Sequence, residues 1–116
     1  MDSKTLIFVA VAAAIAFVVL SRGKPSITPQ EARAMVEGGA LLLDVRTPAE
    51  YASGHIDGAV NIPVGELRQR LDELPDSSQP IVLYCASGQR SGRATRMLRE
   101  AGHEQAHNLG GIGRWK

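Results

Sequence analysis

Only one of the 116 residues, Cys85, is a cysteine, and aromatic side chains make up just 4% of the chain. A single thiol excludes an internal disulfide and any zinc site built from several thiolates. A dominant charge is also lacking. The formal net charge is +1 and the basic residues are dispersed among acidic ones, so nothing points to a nucleic-acid partner. There is no internal repeat and no low-complexity tract. What remains is the composition of a folded protein, 44% hydrophobic and 22% charged, at a length suited to one domain.

Part of the hydrophobic content stands apart from the rest. Leu6 to Leu20 is an unbroken apolar run of 15 residues, extended to 17 by Thr5 and Ser21, and it carries no charge. As a helix it rises about 25 Å, the short end of a bilayer span. The competing reading is a signal peptide, because Ala14-Ile15-Ala16 fits a small-residue cleavage pattern. Against it, Phe17-Val18-Val19-Leu20 prolong the apolar run past that point, and the positive lead-in is reduced to Lys4 beside Asp2. Residues 1–21 are therefore read as a single-pass membrane anchor. Arg22, Lys24 and Arg33 behind it put the domain on the cytoplasmic side. Cleavage would instead leave a periplasmic or secreted domain. Residues 22–27 read as a polar linker with Gly and Pro, and residues 28–116 as the domain.

Within the domain, apolar runs too short for helices alternate with helix-patterned segments. Thr28-Pro29-Gln30-Glu31 is a capping box with Pro at the first helical position, followed by Ala32, Met35 and Val36 at helical spacing and stopped by Gly38-Gly39. Ala40 to Arg46 reads as a strand buried on both faces, and Thr47-Pro48-Ala49-Glu50 as a second capping box. Asp44 and Arg46, at that strand's end, are expected to pair with each other or with loop backbone. His55 lies in a Gly-bounded loop, where ordering that loop explains it better than catalysis. Val64 to Leu74 predicts a helix that packs Leu67, Leu71 and Leu74 on the core and ends at Pro75. Ile81 to Tyr84 is the second clear buried strand. Ala94, Met97, Leu98 and Ala101 then mark a helix whose arginine row, Arg93, Arg96 and Arg99, is solvated, with Gly102 as its C′ residue. Leu109 belongs to a short last strand. This alternation predicts an α/β domain with a mainly parallel sheet.

The stretch Cys85-Ala86-Ser87-Gly88-Gln89-Arg90-Ser91 carries the chemistry. A strand that ends in Cys, turns through small residues and opens a helix aims backbone N–H groups and the positive helix end at one sulfur. Such a thiol ionises easily, and the thiolate is a nucleophile. Gly88 can take a positive φ, Ser87 and Ser91 can donate further hydrogen bonds, and Arg90 supplies a fork suited to an oxyanion at the mouth. A buried, inert cysteine would need neither the small-residue loop nor the arginine.

Four separated motifs give this reading a family. They are Leu43-Asp44-Val45-Arg46 followed by Glu50-Tyr51, then Gly54-His55-Ile56-Asp57-Gly58-Ala59-Val60-Asn61-Ile62-Pro63, then Tyr84-Cys85 through Ser91, and finally Asn108-Leu109-Gly110-Gly111 with Trp115. In this order they resemble the rhodanese (thiosulfate sulfurtransferase) domain, over about Thr28 to Trp115. The resemblance implies a five-stranded parallel sheet flanked by helices, with a cysteine-led loop, here Cys85 to Arg90, that cradles a persulfide. It implies Cys85 as the catalytic residue and Ala86, Ser87, Gly88, Gln89, Arg90 and Ser91 as the substrate-binding loop, with no cofactor or metal. The expected substrate is thiosulfate or a similar small sulfur anion. A protein that donates or accepts the persulfide is a further partner, and a membrane-tethered persulfide carrier or regulatory module is the alternative to an enzyme. A cysteine phosphatase or arsenate reductase is the rival chemistry. Those enzymes place five residues between Cys and Arg, whereas Cys85 and Arg90 enclose four, a ring better suited to one sulfur atom than to a phosphate.

Overall fold

The computed structural model describes residues 23–116. The anchor expected over residues 1–21, together with Arg22, lies outside the described residues, and among those described no helix is long and apolar enough to cross a membrane. The elements follow the local chemistry of the chain. Helix α1 (Pro29–Glu37) and helix α2 (Pro48–Ser53) both begin with a complete capping box, Thr28 with Glu31 and Thr47 with Glu50, and each has Pro in its first turn. Strand β1 (Leu41–Asp44) lies between them. A two-residue strand β2 (Val60–Asn61) and the 3-10 helix η1 (Leu67–Glu73) follow. Strand β3 (Ile81–Cys85) leads into helix α3 (Gln89–Glu100), and strand β4 (Ala106–Gly111) into the short 3-10 helix η2 (Ile112–Arg114). Helix α3 ends at Ala101, and Gly102 takes the positive φ expected of its C′ position.

The sheet is parallel throughout, in the order β2-β1-β3-β4, which puts the two strands buried on both faces at its centre. The pleat of β3 divides the core. Ile81, Leu83 and Cys85 turn to one face, where they meet Ala94 and Leu98 of α3 and Leu67 of η1. Val82 and Tyr84 turn to the other, against Ala32 of α1, Ile27 and Leu109. Trp115 packs against this second cluster, with the Arg33 guanidinium 5.4 Å from its ring centroid.

Two expectations are corrected. Among the described residues the sheet has four strands, not five. The place of a fifth strand, outside β4, is taken by the segment Gly23–Ile27. There the Ser26 N–H donates to the Asn108 carbonyl at 2.8 Å, but the Asn108 N–H is taken by the Ser26 hydroxyl at 2.7 Å. The Gly110 N–H, the next donor along β4, is taken by the Asn108 side chain, so no ladder forms. The stretch read as a linker is thus docked along β4. The second correction concerns Val64 to Leu74, expected as a helix of ordinary pitch. It is a 3-10 helix kinked at Arg70, whose φ and ψ of −120° and 23° are non-helical. Leu67 is buried, while Leu71 and Leu74 pack on the core from its edge, so tertiary packing decides the pitch of a segment too short to hold α-helix by itself.

At the end of β1 the Asp44 and Arg46 pair anchors the rim. Asp44 is fully buried; its carboxylate accepts from Arg46 Nε at 3.1 Å, from Nη2 at 2.7 Å and from the Arg46 backbone N–H at 2.9 Å. Arg46 also donates to the carbonyl of Gly54, which ties β1 to the end of α2. Removing one member of a buried pair strands the other, at a cost of about 3–5 kcal/mol. Asp44→Ala is expected to lower the unfolding free energy by that amount in urea titrations, and a loss below about 1 kcal/mol would contradict the pairing's structural weight.

Candidate functional site

Strand β3 delivers Cys85 to the carboxyl rim of the sheet, beyond which ligands of parallel α/β sheets gather. The chain turns through Ala86, Ser87 and Gly88 and at once opens α3. The turn depends on Gly88. Its φ is +104°, and a Cβ there would sit 2.8 Å from the carbonyl oxygen of Gly23 and 3.3 Å from the Cα of Gly110. Only a residue without a side chain fits both the dihedral and the space.

The sulfur of Cys85 is buried, as an inert core thiol would be, but polar donors aim at it. The Gly88 N–H donates to Sγ at 2.9 Å, and the Ser91 hydroxyl lies 3.4 Å from it. That hydroxyl has two other acceptors in reach, the carbonyls of Gly88 at 3.2 Å and of Gly110 at 3.5 Å, so ionisation of the thiol makes Sγ the strongest claimant on its single hydrogen. Burial raises the thiol pKa and is the largest single influence. The Ser91 hydroxyl, then the backbone N–H groups of Ser91, Gly88 and Ser87, together outweigh it, and the thiol ends below its ordinary value. The N-terminus of α3 adds its dipole in the same sense.

Of the loop residues singled out from the sequence, Gly88 and Ser91 are buried around the sulfur, Ser87 contributes through its backbone, and Ala86, Ser87 and Gln89 are exposed on the rim. Arg90 is placed differently from the expectation. Its guanidinium is not open at the mouth but grips the carboxylate of Glu50 on α2, Nη1 to Oε1 at 2.7 Å and Nη2 to Oε2 at 2.9 Å. The Arg90 fork, and after it the Thr47 N–H, hold Glu50 down to about 2. Forty positions separate the two residues, and Glu50 is already accounted for in the sequence as a helix cap, so no local signal marks it as a neighbour of the loop.

Other candidates fall away from the chemistry. His55 stacks on Tyr51, ring centroids 3.7 Å apart, and its Nδ1 meets the Tyr51 carbonyl at 2.9 Å, so it orders its loop as expected. Burial pushes the Tyr84 phenol up to about 12, which keeps it protonated, and its oxygen accepts from the Ile56 N–H. Asn108 was named only as part of a motif. It proves central to the loop's support, since its side chain donates to the carbonyls of Lys24 at 3.1 Å and Gly88 at 3.4 Å and accepts from the Gly110 N–H at 2.9 Å. Among the described residues no cluster of His, Cys, Asp or Glu could hold a metal ion.

The structure is thus a parallel α/β layer whose central strand ends in a cysteine beneath a helix N-terminus. Residues 28–116 match the rhodanese-like domain, and the chain belongs to that family of sulfurtransferases. It is 39% identical over 119 residues to the uncharacterised protein YqhL of Bacillus subtilis, a match covering 97% of this chain and 93% of the relative. It is 38% identical over 71 residues to the thiosulfate sulfurtransferase PspE of Escherichia coli, covering 60% and 68%. Among solved structures, the human single-domain sulfurtransferase TSTD1 superimposes with a TM-score of 0.68 at 34% identity, covering 78% of this chain and 93% of that one.

Because the folded thiol titrates below its ordinary value, its ionisation adds stability that is complete above the unfolded pKa and is lost as the pH falls through the folded pKa. Ser91→Ala removes the side-chain donor. The inflection in the pH dependence of Cys85 alkylation is expected to rise by about half a unit to one unit, and an unmoved inflection would show that the hydroxyl serves only the backbone carbonyls.

Proposed function

We propose that this protein is a sulfurtransferase that moves a sulfane sulfur through a persulfide on Cys85. The observation that carries the reading is the convergence of the Gly88 N–H and the Ser91 hydroxyl on Sγ at the start of α3. In the first step the Cys85 thiolate attacks the outer sulfur of thiosulfate or a related donor. The new S–S bond forms as the old one breaks, and sulfite leaves with its electron pair. The persulfide's terminal sulfur carries the negative charge, and the loop N–H groups with the helix terminus are the groups suited to stabilise it. In the second step a thiophilic acceptor, cyanide in an assay or a thiol in the cell, takes the terminal sulfur and restores the Cys85 thiolate. Both partners are already ionised and the leaving groups are stable anions, so neither step requires a general acid. That agrees with a rim where Tyr84 is held protonated and His55 is committed to Tyr51.

Burial of Cys85 favours a donor that presents one thin terminal sulfur, and the four residues between Cys85 and Arg90 leave a ring narrower than a phosphate site needs. The relative PspE is a thiosulfate sulfurtransferase. Substrate binding is assigned to the loop Ala86–Ser91, with Arg90 entering as half of an ion pair and not as a free cation. The apolar run of residues 6–20 is read as a membrane tether that holds the domain at the cytoplasmic surface. A tether of this kind raises the effective concentration of a membrane-bound sulfur donor or acceptor. The match to YqhL covers 97% of this chain, so it takes in that run.

One experiment tests both parts. Cells producing the full chain are fractionated, and thiosulfate:cyanide activity is assayed for the wild type and for Cys85→Ser. Activity is expected in the washed membranes with the chain at full length, with ping-pong kinetics, and Cys85→Ser is expected to abolish it. Unaltered activity in Cys85→Ser would end the sulfurtransferase reading. Activity confined to a soluble, N-terminally shortened chain would end the tether alone.

A further inference from the structure

The commitment of Arg90 to Glu50 bears on which donor the site accepts. Glu50 does not drift to the arginine from solvent. Its Oε1 already accepts from the Thr47 N–H at 3.0 Å while the Thr47 hydroxyl accepts from the Glu50 N–H at 3.2 Å, so the capping box of α2 fixes the carboxylate before Arg90 closes on it. The result is a two-point fork, each nitrogen on its own oxygen, in the geometry with which a guanidinium would otherwise grip a sulfonate. The pair is half-buried, with about a third of each side chain exposed. Arg90 also lies close enough to Cys85 to sense its charge. The neighbouring arginine of the rim, Arg46, is likewise held by a carboxylate, that of Asp44. Arg46 and Arg90 are therefore each neutralised by a carboxylate.

We propose that Glu50 is a specificity-determining residue: by occupying and neutralising Arg90 it disfavours doubly charged oxyanion donors such as thiosulfate and turns the site toward thiol persulfides, whose carrier end bears no sulfonate. This inference rests on the persulfide chemistry proposed above. With such a donor the Cys85 thiolate attacks the terminal sulfur of R–S–SH. The Cys85–sulfur bond forms, the bond to R–S breaks, and the electron pair leaves on the thiolate R–S⁻, while the proton stays on the transferred sulfur until the loop N–H groups favour its loss. No oxidant or reductant is consumed. Discrimination of this kind comes from a repulsive group placed against the wrong ligand as much as from contacts to the right one.

The test compares the wild type with Glu50→Gln in the full chain, using thiosulfate and glutathione persulfide as donors and cyanide as acceptor. Glutamine keeps an oxygen for the Thr47 N–H, so α2 retains its cap, but it removes the charge. The ratio of kcat/KM for thiosulfate to that for the persulfide is expected to rise about tenfold in Glu50→Gln, through the KM for thiosulfate, and that gain should shrink as ionic strength increases. An unchanged ratio, or equal losses with both donors, would overturn the proposal and leave Glu50 as a structural support of Arg90. Failure of both proteins to acquire a sulfur on Cys85 from either donor would instead defeat the sulfurtransferase reading and this inference with it. A wild type that transfers from either donor while the ratio stays fixed defeats this inference alone.

Discussion

The structure turns on a contest at one atom. Burial of Sγ of Cys85 opposes its ionisation, and a small set of donors from the following turn and helix opposes burial. For the donors to prevail they must lie within hydrogen-bonding distance of the sulfur at the moment the strand ends, and that requirement spreads outward. Gly88 must have no side chain because the carbonyl of Gly23 and the backbone of Gly110 lie against it. Gly111 is constrained in the same way, since a Cβ there would lie 2.7 Å from the carbonyl oxygen of Ala86. Asn108 then joins the pieces, bonding at once to the Gly23–Ile27 segment, the loop and the end of β4. The thiolate site is a product of the fold's edge as much as of the cysteine loop.

This explains why some features were legible in the sequence and others were not. The loop could be read because its parts are consecutive: an apolar strand, a cysteine, small residues and a helix start fix one another's positions within a few bonds. The two capping boxes and the buried strands β1 and β3 were readable for the same reason, and both boxes are complete in the structure. The fifth strand failed because ladder formation depends on which N–H groups remain free. Here the Ser26 hydroxyl and the Asn108 side chain take the N–H groups of Asn108 and Gly110 that the fifth strand implied by the family resemblance would have needed. The pitch of η1 was set by the sheet it packs on, which periodicity alone does not contain. Arg90 follows the loop in sequence, but its partner Glu50 comes from α2, across the fold.

The same interplay gives the rim its electrical character. Backbone dipoles converge on the sulfur at the rim, while Arg46 and Arg90 beside it are each neutralised by a carboxylate, the arrangement on which the proposed preference for a single negative sulfur rests. Dipoles fixed in the backbone need not reorganise when the charge moves from Sγ to a terminal sulfur, so the loop that lowers the thiol pKa is also suited to the persulfide that follows.

The central claim is that the sulfur of Cys85 accepts and releases a single sulfur atom. Intact-mass spectrometry of the purified full chain, before and after exposure to a sulfane sulfur donor and again after cyanide, tests it most directly. A gain of one sulfur atom, mapped by peptide analysis to Cys85 and lost on cyanide treatment, is expected. No gain, or a gain that persists when Cys85 is replaced by serine, would contradict it.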